Sequence, residues 1–169
     1  DGRSPAEQLR LIRDAVEPMQ EAMDRTWVKV LQPELGDQGI CVRTYESLGP
    51  GEQRRIAQLF RRTIYPVLTP LAVDPGHPFP FISDMSLSLA VELINPVRPG
   101  VQFARLKVPK SRGRWIPLEE PGHFIPVERV IAHHMNELFP GTAVESVFAF
   151  RVARNADLVR EEDDVEDLL

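Results

Sequence analysis

The stretch Leu68–Ile82, LTPLAVDPGHPFPFI, constrains this chain more than any other. Four prolines, Pro70, Pro75, Pro78 and Pro80, fix φ within it. Leu68, Leu71, Val73, Phe79, Phe81 and Ile82 lie between them, so it lacks the composition of a flexible linker. Residues before proline are pushed to extended conformations. An unfolded chain already restricted by proline loses less entropy on ordering. Together these predict an irregular but rigid segment that buries its apolar residues without regular hydrogen bonding. It would clasp the helix after Gly51 to the strand from Ser86, at a domain or subunit interface.

On its N-terminal side, SPAEQLRLIRDAVEPMQEAMDRTWVKVL predicts a long helix. Ser4 suits the N-cap, Pro5 the first helical position and Glu7 the capping box. Leu9, Ile12, Val16, Met19, Met23, Trp27 and Val30 recur at spacings of three and four, a one-sided stripe that a neighbouring element should cover. Pro18 cannot donate to the Asp14 carbonyl, so a kink is expected there, and this break argues against a coiled coil. ELGDQGI ends the helix in a glycine turn, and ICVRTY follows as a short strand. GPGEQRRIAQLFRRTI predicts a second helix with Ile56, Leu59, Phe60 and Thr63 inward. Arg54 above Arg61, and Arg55 above Arg62, would occupy the opposite face.

Beyond the proline segment, Leu87, Leu89, Val91 and Leu93 alternate with Ser86, Ser88, Ala90 and Glu92, the period of a half-buried strand. INPVRPG is a turn. In QFARLKVP, Ala104, Leu106 and Val108 share one face and Arg105 and Lys107 the other, so the two strands should pair as a hairpin. RWIPLEE suggests a third strand. PVERVIAHHMNELFPG predicts a third helix, with Pro126 at its start, Pro140-Gly141 at its end, and Val127, Val130, Ile131, His134 and Leu138 inward. AVESVFAFRVAR returns as a strand. REEDDVEDLL resembles an acidic helix start whose apolar partners lie beyond Leu169. Helices and strands do not alternate as βαβ units. The fold class is therefore α+β: a mainly antiparallel sheet packed with helices, preceded by a long N-terminal helix.

The 169 residues fit one domain, or one domain plus part of a neighbour. No apolar run approaches the roughly 20 residues of a transmembrane segment, and no secretory signal precedes the first helix. The chain begins with Asp1 rather than Met, which suggests an excised piece. Cys41 is the sole cysteine, excluding an intramolecular disulfide and a cysteine-based zinc site. A net charge of -5 provides no global attraction for nucleic acid, and none is expected as a partner. An anion site must be a local basic patch.

Phosphate-loop, dinucleotide and nucleophile-elbow motifs are absent, as is H-E-x-x-H. His133 and His134 are adjacent, so on a helix they point about 100° apart and cannot clamp one metal from one face. His134 falls on the apolar stripe as a satisfied core histidine, His133 faces solvent, and His77 bonds within its own turn. Two basic clusters stand out. One is the Arg54, Arg55, Arg61, Arg62 face. The other is RLKVPKSRGR, where Arg105, Lys107, Lys110, Arg112 and Arg114 occur without an acid. Together they can hold a polyanion by charge and bidentate contacts. A solvated face, or salt bridges to acids elsewhere, accounts for the same pattern.

YPVLTPLAVDPGHPFPFISDMSLSLAV closely resembles the signature of the long bacterial polyphosphate kinases. SPAEQL and its helix, FARLKVP, FIPVERVIAHHMNELFPG and FRVARNADLVREEDDVEDLL resemble that family in the same order, so the likeness covers essentially the whole chain. It implies a several-fold longer parent with a helical N-terminal domain, a middle or head domain and two C-terminal domains. Residues 1–39 would end the N-terminal domain, and 40–169 would form most of the head domain. The implied reaction is reversible transfer of the ATP γ-phosphate to inorganic polyphosphate, with Mg²⁺, through a phosphorylated histidine. That histidine, the Mg²⁺-dependent residues and most nucleotide contacts belong to domains outside this sequence. Hence no catalytic, cofactor-binding or metal residue is assigned here, and neither ATP nor Mg²⁺ is expected bound to this piece.

The implied partners are the remaining parent domains, a second copy in a dimer, and polyphosphate. The implied location is cytoplasmic, with membrane association of the parent as the alternative. The head domain would support dimerisation and the substrate tunnel. Two other functions compete: a polyanion-binding module, and a structural adaptor that docks a partner through its long helix. Many relatives carry Asn where this chain has Asp84 and Ser88, so a polar contact there would differ.

Overall fold

The structure, a computed structural model, describes residues 2–73, 81–96, 100–110 and 113–153. In chain order the elements are α1 (Pro5–Thr26), α2 (Gln32–Asp37), β1 (Cys41–Val42), α3 (Pro50–Leu59), β2 (Pro70–Val73), β3 (Ser88–Ile94), β4 (Val101–Lys107), β5 (Trp115–Pro117), β6 (His123–Pro126), α4 (Val127–His133), α5 (Met135–Leu138) and β7 (Ala143–Phe150). The long N-terminal helix, the antiparallel sheet and the accompanying helices make the fold α+β, as the sequence pattern predicts. The chain divides into two compact units: Asp1–Gln53 with Trp115–Pro126, and Arg54–Arg114 with Val127–Leu169.

In the first unit, the Glu7 amide donates to Ser4 Oγ at 3.3 Å, and Pro5 opens the helix. α1 spans Pro18, and the departure from α-helical bonding falls later, in the π-helical turn Trp27–Leu31. Pro18 lies on an exposed helix, where water can satisfy the Asp14 carbonyl. No residue of α1 is buried. The apolar stripe is present but uncovered: Leu9 is 67% exposed, Met19 70% and Met23 66%.

α2 ends where Gly39 takes φ +74° and the Ile40 amide donates back to the Leu35 carbonyl at 2.8 Å. β1 then pairs parallel to β6, and β6 pairs antiparallel to β5. Gly122 sits where a Cβ would meet the Gly39 carbonyl oxygen at 2.0 Å, so only glycine fits this crossing. Buried Tyr45 donates its hydroxyl to the Gln53 carbonyl at 3.0 Å, and Gln53 Nε2 returns a bond to the Tyr45 carbonyl.

The second unit is built on an antiparallel sheet of order β2-β4-β3-β7. β3 and β4 pair with Leu89 opposite Leu106 and Val91 opposite Ala104. These side chains and Leu93 are buried, but so are Ser86 and Ser88, so the expected alternation of buried and exposed positions holds only from Leu89 to Leu93. Ile56, Phe60, Ile64, Val127, Val130, Ile131 and Met135 are buried apolar residues of its helical segments. α4 packs on the π-helical turn Phe60–Ile64, and α5 packs on β7. Burying each large apolar side chain contributes roughly 1.5–3 kcal/mol.

Several local expectations need correction. Pro70–Val73 is a regular strand, with Leu71 opposite Arg105 and Ala72 opposite Ala104. The proline segment is therefore partly laddered; Pro70 is tolerated as the first residue of an edge strand. Phe81 is 69% exposed rather than buried, whereas Ile82 is buried. Asp74–Pro80, including His77 and Phe79, lie outside the described residues, as do Arg112 and the acidic segment from Arg154. The strand suggested in RWIPLEE is β5, paired with β6, and β6 itself shows no alternating signal because it is only His123–Pro126. The single helix predicted after Pro126 is two helices, broken at His134 with φ -94° and ψ 13°. The break places Met135 in the core and leaves Leu138 half-buried.

Candidate functional site: a basic pocket in the second unit

The structure scatters the residues of the two basic clusters. Arg54 is exposed and Arg55 half-buried on α3, while Arg61 and Arg62 are exposed in the π-helical turn that follows. α-Helical spacing does not carry through that wider turn. Arg61 grips Glu137 bidentately, Nε to Oε2 at 3.0 Å and Nη2 to Oε1 at 2.9 Å. This bond, above all, holds the Glu137 carboxyl down to about 2. The same Oε1 of Glu137 also meets His134 Nδ1 at 2.8 Å. His134 is buried and stacked on Phe60 at a centroid distance of 4.5 Å. Burial is the main cause that lowers its pKa below 6.5. This is the core histidine that the pattern suggests, tied into an ion-pair network. His133 is exposed.

Arg105 is only 4% exposed. Its Nε and Nη2 donate to Ser88 Oγ at 3.4 and 3.3 Å, and Nη1 donates to the Phe81 carbonyl at 3.5 Å. Ser88 is thus the acceptor for a buried guanidinium. Exposed Lys107 donates to Ser83 Oγ at 3.3 Å.

Lys110 and Arg114 meet instead at a pocket of about 200 Å³, together with Arg151. Met85, Leu87, Val108, Pro109, Gly113 and Val127 complete its lining. Three backbone bonds tie its walls: Val108 N–H to the Leu87 carbonyl at 3.0 Å, Met85 N–H to Val152 at 2.9 Å, and Val127 N–H to Arg114 at 2.8 Å. Met85 has φ +52°, which is uncommon for a residue with a side chain. Arg114 donates through Nε and Nη2 to Glu128 Oε1 at 2.8 and 2.5 Å, which fixes its plane. Among the described residues, the cationic lining side chains and the Glu128 carboxylate sum to a formal +2, in a chain of net charge -5. Such a site suits a compact anion.

Sequence reasoning found Lys110 and Arg114 but missed Arg151. It lies just past β7 and reaches the pocket only because Phe150 pairs with Ser88 at the start of β3. No local motif marks it.

A second cavity, of about 310 Å³ in the first unit, is lined by Trp27, Leu35, Ile40, Val42, Trp115 and Phe124 and holds no charged side chain. Among the described residues no group of three His, Cys, Asp or Glu side chains can hold a metal ion. No helix among them is long and apolar enough to cross a membrane.

The family model for the polyphosphate kinase middle domain matches residues 51–169. The chain belongs to the polyphosphate kinase family. It is 44% identical to a polyphosphate kinase of Aphanizomenon baltica, over 100% of this chain and 46% of that protein. It is 45% identical to the polyphosphate kinase of Streptomyces coelicolor, over 99% of this chain and 22% of that protein. The crystal structure of polyphosphate kinase from Porphyromonas gingivalis superposes with a TM-score of 0.77 at 27% identity, covering 89% of this chain and 24% of that one. The chain therefore spans less than half the length of these polyphosphate kinases, and the rest of such a parent supplies further domains.

Proposed function

We propose that this chain is a non-catalytic part of a polyphosphate kinase whose parent reversibly transfers the ATP γ-phosphate to inorganic polyphosphate. The supporting observation is the middle-domain match over residues 51–169. Residues 1–39 are assigned to the end of an N-terminal domain and 40–169 to the head domain. ATP and Mg²⁺ belong to the parent reaction, and no step through either is derived from the described residues. The proposed role of this part is to support dimerisation and the substrate tunnel. Its contribution to the tunnel is basic charge at Lys110, Arg114 and Arg151, with Arg54, Arg62 and Lys107 as outlying cations.

A second reading rests on the uncovered stripe of α1. Helices bury such stripes. The remaining parent domains are the proposed cover, which makes α1 a docking element.

Sedimentation velocity of this chain, with and without long-chain polyphosphate at low and moderate salt, tests these roles. A dimer unaffected by polyphosphate assigns it to assembly. A monomer that shifts with polyphosphate, more weakly at higher salt, assigns the cations to anion guidance. A monomer with no shift contradicts both roles for the isolated chain. The reaction itself is tested by ATP-dependent polyphosphate synthesis in the full-length parent.

A further inference from the structure

We infer that the basic pocket takes the terminal phosphate of a phosphate chain, not the chain's interior; this rests on the polyphosphate reading above. Lys110 and Arg114, from the connection after β4, and Arg151, from the end of β7, line one cavity of about 200 Å³. They do not form a track. Two residues of the basic runs are diverted from one: Arg105 is buried under Ser88 and Phe81, and Arg61 is committed to Glu137.

Charge also discriminates. A terminal phosphate carries about -1.5 to -2 at neutral pH, by analogy with a phosphomonoester. An interior phosphate has one ionisable oxygen and carries a single charge. The pocket offers a formal +2, from three cations and the Glu128 carboxylate. Leu87, Val108 and Val127 complete the lining with apolar side chains. The site is built before any ligand arrives. Three backbone bonds join its walls, and Glu128 holds Arg114 in place.

A terminal phosphate is presented both by polyphosphate and by a nucleoside diphosphate. Titration calorimetry of this chain at moderate salt separates the cases, using tripolyphosphate, long-chain polyphosphate of defined length and a nucleoside diphosphate. End recognition predicts saturation at no more than two protein molecules per polyphosphate, whatever its length. It also predicts competition by tripolyphosphate. Arg151→Ala and Lys110→Ala should each weaken binding about tenfold, with unchanged unfolding midpoints because both side chains are exposed. Tighter binding of the nucleoside diphosphate would support the site and assign it to nucleotide ends.

Stoichiometry that grows with chain length would overturn end recognition while leaving polyphosphate binding intact. Binding unaffected by both variants would overturn the location. No binding of any phosphate compound would overturn the site altogether, whereas the parent's synthesis assay decides the kinase reading separately.

Discussion

Helix α1 and strand β3 present equally regular apolar patterns with opposite outcomes. Leu89, Val91 and Leu93 alternate along β3 and are all buried. Leu9, Ile12, Val16, Met19 and Met23 recur at helical spacing along α1 and are all exposed. Periodicity specifies that a face exists and which side chains share it. It does not specify what covers that face. The strand is an inner one of the second unit's sheet, between β4 and β7, and its apolar face is covered there. The helix finds no cover among the described residues of its own unit, although those residues form a complete three-stranded sheet.

The sharpest way to break this comparison is to truncate one side chain from each region. Phe60 has no exposed surface, and Phe60→Ala should destabilise the second unit by about 3–5 kcal/mol. Met19→Ala removes a side chain that is 70% exposed and should change stability by less than about 0.5 kcal/mol. Chemical denaturation of both variants measures the gap. Similar losses would mean that α1 is covered in solution and that the contrast is false.

Legibility followed the same division. The α+β class, the capped first helix and the β3–β4 hairpin were all open to reading, because each depends on a local signal: a cap, an alternation or a turn. β6 is too short to show a period, and β2 was hidden by the prolines that surround it. The break at His134 was hidden too, since a continuous helical pattern and two helices joined at a kink place nearly the same residues inward. At the candidate site, Lys110 and Arg114 were legible as neighbours in a basic run. Arg151 was not, because strand pairing rather than sequence proximity brings it there. Arg105 looked like a surface cation by alternation, yet Ser88 and Phe81 enclose it. Strand period identifies a face, but a loop lying over that face is invisible to it.

A smaller effect is expected at the turn between the short strands. Gly122 has φ +82° and no room for a Cβ beside the Gly39 carbonyl. Gly122→Ala should destabilise by about 2 kcal/mol, combining left-handed strain with displacement of backbone. If the first unit is the less cohesive of the two, hydrogen exchange should accelerate at the Cys41 amide, which donates to the Gly122 carbonyl, without spreading to β3. Faster exchange in both would show that the units open together.

Acid should act mainly on the second unit. The folded state depresses the Glu137 pKa from 4.5 to about 2, so its contribution is present above 4.5 and is lost as pH falls towards 2. The His134 pKa is also lowered, mainly by burial, so stability begins to fall as pH drops below 6.5. Both groups give the same sign: stability decreases on acidification. Because Arg61 is more than half exposed and Glu137 about a third, solvent screening limits the pair to about 1 kcal/mol. Glu137→Gln should lower stability by that amount at pH 7 and flatten the slope between 4.5 and about 2. An unchanged slope in denaturation midpoints across that range would rule out this pair as its origin.

The smallest predicted effect tests the uncovered helix directly. Ser4 accepts the Glu7 amide at 3.3 Å, a long bond on an exposed terminus. Ser4→Ala should therefore cost about 0.5 kcal/mol, the low end for an N-cap. Where that loss is felt depends on whether α1 has a cover. An uncovered helix frays from its end, so amide exchange should quicken over its first turns while the global unfolding midpoint stays fixed. A helix docked on other domains is held by its stripe, and the same substitution should leave those amides almost as protected as before. Measuring the variant alone and in the full-length parent compares the two states of one helix. Faster exchange alone, with protection restored in the parent, would identify the missing domains as the cover of Leu9, Ile12, Val16, Met19 and Met23. Equal exchange in both would leave α1 exposed in the parent as well, and its apolar pattern would then require a different partner.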